Sequence, residues 1–329
     1  MSAPVASIIL CTHNRVAMLR DAVETILADP STTPRELIVV DNASIDGTAA
    51  YLGGLAAEAA ATPGAIAVRV VTEPRPGKSH ALNTAVPLAR GALLLFTDDD
   101  VYVEPGWADA LVAGFADPAV GVVSGRIVPH WDQPRPAFLN GPHAVDVELL
   151  DHGTGDRPLT EGEIAYGANL ALRASLVHVF DPPFDPSLGP RGERRFLAEE
   201  SHLVRRLLES CSGVYCSGAV VQHRVNPERL SLEWLRASAF DHGIGFARYT
   251  RLLGREQPVP LAKRIVRAAR VYRLALQQAA VNDAAERTGP ETAEELSTYL
   301  AAGRLVESAF GRIPTLPDFA GSIVRRRGR

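Results

Sequence analysis

The stretch Ala92-Leu93-Leu94-Leu95-Phe96-Thr97-Asp98-Asp99-Asp100 decides how the chain is read. A short apolar run ends in one hydroxyl and then three carboxylates. So brief a run, bounded by polar residues, suits a strand buried on both faces of a parallel sheet. The same pattern occurs three times upstream. Ser7–Cys11 ends in Thr12, His13 and Asn14; Glu36–Val40 ends in Asp41 and Asn42; Ala65–Val71 ends in Thr72 and Glu73. Helical spacing fills the intervals at Val16–Ala28, Asp46–Ala60 and Lys78–Leu88. Strand and helix in alternation predict right-handed βαβ units and an α/β fold. Ligands of such sheets bind outside the carboxyl ends of the strands. Thr12, Asp41, Glu73 and Asp98–Asp100 are therefore expected to line one crevice.

Further along, a helix is expected from Pro105 to about Ala116, and a strand over Val120–Val128. Pro129–Gly162 is rich in Pro, Gly, His and Asp and reads as a long functional loop. Ile164–Arg173 reads as a strand near the site, Glu199–Ser210 as a helix and Val214–Gln222 as a strand. From Ser231 the pattern is helical, over Leu232–Leu253, Leu261–Ala284 and Pro290–Phe310. The composition changes near Asn226. The expected division is an α/β catalytic domain over 1–228 and a helical region over 229–329.

With 46% apolar and 22% charged residues, the 329-residue chain has the balance of a globular protein. Its net charge of −4 argues against a general nucleic-acid partner. Cys11, Cys211 and Cys216 cannot close a disulfide framework, which points to a reducing, cytoplasmic setting. The N-terminus has no basic segment before its apolar run, and no run is long enough to cross a membrane. Only Lys78 and Lys263 are lysines, and alanine is abundant, which reads as genomic composition bias.

Three adjacent carboxylates repel one another unless a cation joins them. A hard divalent cation takes oxygen ligands, and Mg2+ is often held by one or two carboxylates with substrate phosphates completing the shell. Asp100 is assigned as a metal ligand, with Asp98 shared between metal and ribose. Asp41, at a strand end, can accept an N–H from a nucleobase. Within Glu73-Pro74-Arg75-Pro76-Gly77-Lys78, Arg75 and Lys78 bring positive charge towards a diphosphate, where it would stabilise a leaving group. Glu199-Glu200 opens a helix and supplies a candidate general base. His223 can complete a metal shell or touch the diphosphate. No zinc-finger, P-loop or nucleophile-elbow spacing is present.

The segments VASIILCTHNR, ELIVVDNASIDGT, EPRPGKSHALN, LLLFTDDDV, GANLALR, FDPSLG and EESHLVRRL occur in the order seen in family 2 glycosyltransferases. The chain resembles the inverting members of that family over roughly Ala3 to His223. The resemblance implies a GT-A-like, Rossmann-type mixed sheet, mainly parallel and flanked by helices, with a helical C-terminal segment. It implies a nucleotide-sugar donor such as a UDP-sugar, Mn2+ or Mg2+ as cofactor, and a glycan, lipid-linked or small-molecule acceptor. Donor contacts would fall to Thr12, Asn14, Arg15, Asp41, Glu73, Arg75, Lys78, Asn83, Asp98, Asp99 and Asn169. Metal would sit on Asp98, Asp100 and His223. The family's base helix usually opens Glu-Asp with Asp as the base; here Glu199-Glu200 stands there, and Glu200 takes the base position.

Two other readings have to be weighed. A sugar nucleotidyltransferase would carry a glycine-rich basic loop after the first strand, where this chain has Thr12-His13-Asn14-Arg15. A catalytically inactive nucleotide-sugar binder would have no use for a base beside the aspartates. Leu261–Arg273 is basic and partly amphipathic, and the chain ends Val324-Arg-Arg-Arg-Gly-Arg. Such a helix either contacts the inner face of a membrane peripherally or packs on the catalytic domain or in a homodimer.

Overall fold

The strands announced by the apolar runs form one sheet in a computed structural model, which describes residues 4–134, 151–160, 163, 165–192, 194–255, 260–282 and 289–311. Along the chain, β1 (Ala6–Thr12), α1 (Val16–Ala28), β2 (Arg35–Asp41), α2 (Thr48–Ala61), β3 (Ala67–Thr72) and α3 (Lys78–Ala85) come first. They are followed by β4 (Leu93–Asp98), β5 (Val101–Val103), α4 (Trp107–Ala113) and β6 (Val120–His130). Next come β7 (Arg157–Pro158), β8 (Leu170–Arg173), α5 (Ala174–Val177), α6 (Glu199–Leu207) and β9 (Ser212–Arg224). Three long helices complete the order: α7 (Leu232–Leu252), α8 (Leu261–Asn282) and α9 (Gly289–Phe310). Of the segment 129–162, the described part includes the end of β6 and the short β7; residues 135–150, 161 and 162 lie outside the described residues, as does the terminal arginine run. Among the described residues no helix is long and apolar enough to cross a membrane.

The sheet order is β3-β2-β1-β4-β8-β6-β9-β5, with β7 on β9. The strands β3, β2, β1 and β4 are mutually parallel, as their all-apolar interiors predict. Beyond them β8 runs antiparallel to both β4 and β6, and β5 runs antiparallel to β9. The fold is thus a mixed α/β sheet flanked by helices. Register brings the polar strand ends level: Thr12 pairs with Asp41, Cys11 with Asp98 and Asp41 with Thr72. Helix α1 buries Leu19, Ala22, Val23 and Ile26, one stripe at helical spacing.

Two kinds of polar end result. At the amino ends, the polar groups satisfy one another. Ser7 donates to Glu36 at 2.7 Å, Arg90 clasps the same carboxylate at 2.7 and 2.9 Å, and the Gly91 N–H donates to Ser7 at 2.9 Å. At the carboxyl ends, loops are tied together instead. Asp46 accepts from the Val16 N–H at 3.1 Å and the Thr48 N–H at 3.0 Å, satisfying the first N–H of α1 and of α2.

By packing, the chain divides into two compact units. The first is Met1–His130, Glu148–Pro186 and Glu199–Arg224, within its described residues; the second is Trp131–Val147, Ser187–Ala198 and Val225–Arg329, within its own. Two segments that precede β9 in sequence therefore belong with the helices. The second unit has its own core, including Phe196, Leu235, Phe240, Ile244, Leu296, Tyr299 and Val306. Its inward charges are paired: Arg194 with Asp241 at 3.0 Å, Arg236 with Glu295 at 2.5 Å, and Arg248 and Arg251 with Glu307 at 3.2 Å.

Helices α7 and α9 touch backbone to backbone. A Cβ on Gly303 would fall on the Phe240 carbonyl oxygen, and one on Gly243 on the Leu300 carbonyl oxygen. Glycine to alanine inside a helix normally stabilises by about 1 kcal/mol. Here the sign should reverse, because overpacking costs about 1–3 kcal/mol. Gly303→Ala is expected to lower the melting temperature by several degrees; an unchanged or raised value would show that the helices do not cross so closely.

Candidate active site

The site is built from the carboxyl ends of β1, β2 and β4, the glycine loop before α3, the start of α6 and the end of β9. All of these belong to the first unit. The turn after β4 sends its three aspartates different ways. Asp99 turns inward, accepting from Thr12 Oγ1 at 2.8 Å and from Arg15 at 2.8 Å. The same Arg15 nitrogen reaches Asp100 Oδ2 at 3.1 Å. The other oxygen, Asp100 Oδ1, lies 3.4 Å from His223 Nε2. Asp98 remains half-buried and meets Lys78 Nζ at 2.7 Å. One ligand atom each from Asp98, Asp100 and His223 lie within 4.8 Å of one another.

Lys78 reaches this cluster because Gly77, with φ of 133°, turns the chain into α3. Its ammonium meets Asp98 on one side and Glu200 Oε1 at 2.8 Å on the other, with Glu199 at 3.9 Å. Burial works against the charged amine. The carboxylates of Asp98, Glu200 and Glu199 outweigh it and hold Lys78 well above its ordinary value. Burial, aided by the Glu200 charge, pushes Glu199 well up, against the pull of Lys78. Burial pushes Glu200 up as well, but Lys78 and a hydrogen bond from Glu199 bring it below the ordinary glutamate value. The two carboxyls are thus pushed in opposite directions, Glu199 up and Glu200 down.

The seat for Glu200 depends on a residue with no side chain. A Cβ on Gly167 would land on the Glu200 carboxylate. This explains physically why a glycine opens the Gly167-Ala168-Asn169 segment.

Five carboxyl groups (Asp98, Asp99, Asp100, Glu199 and Glu200) share two described protein cations, Arg15 and Lys78. Burial and Asp100 accordingly raise Asp99, even against Arg15. A divalent cation at Asp98, Asp100 and His223 would remove the imbalance. The residues present fit such an ion in both charge and donor chemistry.

The remaining sequence candidates divide by what they touch. Asp41 is buried and accepts from the Ser44 N–H at 3.1 Å. Asn14, at φ 54°, donates its backbone N–H to Ser44 at 3.0 Å and accepts from the Ile45 N–H at 2.7 Å, so it stitches two loops. Glu73 grips Arg75 at 2.8 and 2.9 Å and Thr84 at 2.6 Å. The Arg75 hydrogen bonds lower the Glu73 carboxyl to about 2. Arg75 itself extends into solvent. Asn83 makes a two-way bond to the Phe184 backbone at 2.8 and 3.0 Å. Asn169 is fully buried; it accepts from Trp107 at 2.9 Å and donates to the carbonyls of Arg126 and Ala219. Asn83 and Asn169 therefore spend their amides on the scaffold.

Asn42 was not among the sequence candidates for the site. Its amide donates to the carbonyls of Glu73 and Arg75 at 3.0 and 2.7 Å, and its oxygen accepts from Gly77 at 2.8 Å. It fixes the loop that delivers Lys78. Only its place beside Asp41 could have signalled this.

Among solved structures, the mannosyltransferase PcManGT from Pyrobaculum calidifontis, in complex with GDP-Man and Mn2+, superposes with a TM-score of 0.55 at 20% identity, covering 99% of this chain and 88% of that one. GalNAc-T7 with UDP, GalNAc and Mn2+ gives a TM-score of 0.50 at 14% identity, covering 76% and 49%. These likenesses concern the fold. An uncharacterized protein, y4gI of Sinorhizobium fredii (strain NBRC 101917 / NGR234), is 35% identical over 127 residues, which are 38% of this chain but 13% of that much longer relative. The model of the family described as Glycosyl transferase family 2 matches residues 7–165, from β1 through the aspartate turn. Residues 7–165 accordingly match the glycosyl transferase family 2 model, on a sheet of the GT-A type.

Proposed function

We propose that the chain is an inverting glycosyltransferase that moves a sugar from a nucleotide-sugar donor, first of all a UDP-sugar, to an acceptor hydroxyl. One observation carries this reading: a single ammonium, Lys78, joins the candidate metal carboxylate Asp98 to an ionised carboxylate, Glu200, at 2.7 and 2.8 Å. That arrangement sets a proton acceptor beside a place for a diphosphate. The acceptor is a glycan, a lipid-linked sugar or a small molecule.

Asp98, Asp100 and His223 would hold the cation. A carboxylate–imidazole set favours Mn2+ over Mg2+, whose sites are nearly all oxygen. When bound, such an ion neutralises charge on the departing nucleoside diphosphate. The protein's own groups do the rest. Arg15 fixes Asp99 and Asp100, and so aims the aspartate turn. Thr12 and Asp41 would meet the nucleoside, and Arg75, exposed although its Nε and Nη2 bind Glu73, would reach the phosphates. Glu200 accepts the hydroxyl proton as the acceptor oxygen attacks the anomeric carbon. Glu199 keeps its own proton and holds Glu200 in place. A single displacement inverts the anomeric centre.

Thermal-shift screening against UDP-, GDP- and dTDP-sugars with Mn2+ tests the reading. A ligand at about a hundred times its Kd stabilises by roughly 2.7 kcal/mol, so one nucleotide class should raise the melting temperature by several degrees, and only with the metal. That class should then be released as nucleoside diphosphate when an acceptor is supplied. Binding without release would identify an inactive nucleotide-sugar binder, and no shift with any donor would overturn the proposal.

A further inference from the structure

Helix α8 is chemically unlike the rest of the chain. Its 22 residues contain Lys263, Arg264, Arg267, Arg270 and Arg273 and no acid. The helix alone is +5 while the whole chain is −4, so the remainder carries −9. Ala268 and Ala275 are buried in the core of the second unit, and they mark the inward face. Arg264, towards that side, donates to the Ser308 carbonyl at 3.1 Å.

The outward face is different. Lys263, Val266, Arg267, Arg270, Arg273 and Leu274 recur at helical spacing along it. The four cations on this face are exposed, and none has an ion pair or hydrogen bond among the described residues. Elsewhere in the same unit Arg194, Arg236, Arg248 and Arg251 are paired with Asp241, Glu295 and Glu307. Between the unpaired cations stand apolar side chains left in water: Val266 is 67% exposed and Leu274 46%.

We propose that this face of α8 docks on a bilayer surface that carries anionic lipid headgroups. Four unmatched cations call for an anionic partner. Exposed valine and leucine between them call for one that also offers an apolar layer within side-chain reach. A soluble polyanion meets the first demand and not the second. The proposal stands on α8 alone and does not depend on the donor chemistry of the first unit.

Co-sedimentation of the full-length protein with vesicles tests it. The protein should pellet with vesicles containing about one third phosphatidylglycerol and not with phosphatidylcholine alone, and added salt should weaken the binding. Each cation near such a surface contributes roughly a five-fold factor, so replacing Lys263, Arg267, Arg270 and Arg273 with Gln should lower partitioning at least ~10-fold. Val266→Ser with Leu274→Ser should lower it several-fold with every cation kept. Both variants should melt like the parent; should the four-fold variant fail to fold, Arg270→Glu and the serine pair supply the same comparison. Equal binding to both vesicle types, or retention by the glutamine and glutamate variants, overturns the proposal. Binding that heparin abolishes and the serine pair leaves untouched overturns it in favour of a soluble polyanion.

Discussion

Glu200→Gln is expected to lower kcat by about 10²–10⁴ and to leave nucleotide and Mn2+ binding unchanged. The change keeps the shape of the side chain and removes its ability to take a proton. Glutamine can still lie against Gly167 and meet Lys78, so the packing at the start of α6 survives. Glu199 is a poor substitute, because burial still disfavours its anion and it stands 3.9 Å from Lys78 against 2.8 Å for Glu200. The pH profile gives a second readout. Lys78 and Glu199 bring Glu200 below the ordinary glutamate value. Activity that needs the anion is then complete at neutral pH and falls only as pH drops through that lowered value. Replacing Lys78 with Met should move this acid limb upward. Near parental turnover in Glu200→Gln would remove Glu200 from the reaction, and a large loss in Glu199→Gln alone would shift the role to its neighbour.

Asp100→Asn should be nearly as damaging, with at least a ~10²-fold loss of turnover that surplus Mn2+ only partly restores. Among the described residues, one Asp100 oxygen meets Arg15 at 3.1 Å and the other lies 3.4 Å from His223. An amide leaves one fewer charge among the ligands and turns an N–H2 towards either Arg15 or the metal position. Exhaustive chelation of the parent protein should reproduce the loss, and Mn2+ should reverse it more fully than Mg2+. Direct titration with Mn2+ separates lost metal from lost fold, because the melting temperature without metal should stay close to that of the parent. Full turnover in metal-free protein would refute the assignment of Asp98, Asp100 and His223.

The sequence carried the parallel half of the sheet almost to the residue. Helix Val16–Ala28 was expected and found with the same ends, since Leu19, Ala22, Val23 and Ile26 repeat at helical spacing. The antiparallel half was less legible. An apolar run does not encode its direction, so nothing at Leu170–Arg173 said that this strand opposes both of its neighbours. Val101–Val103 was too short to stand out as a strand. In the site, acids were visible because acids at strand ends are rare without a purpose. Their partners were not, because a long cationic side chain can reach in several directions. Arg15 and Lys78, expected to meet the donor, are committed to Asp99, Asp100, Asp98 and Glu200. Asn83 and Asn169 looked like donor contacts by position, yet their amides close backbone gaps. The reverse holds for Asn42, whose importance appears only once β2 and the glycine loop are folded together.

The empty place at Gly167 has a consequence for how this site can change by mutation. The resemblance implies an aspartate where this chain has Glu200, and glutamate is one methylene longer. That extra reach ends where a Cβ at position 167 would have been. The two positions therefore draw on the same small volume, although they lie on different elements. An alanine at 167 is compatible with a shorter carboxylate at 200 and not with the present one. Gly167→Ala alone therefore crowds the base, and Glu200→Asp alone leaves it farther from Lys78.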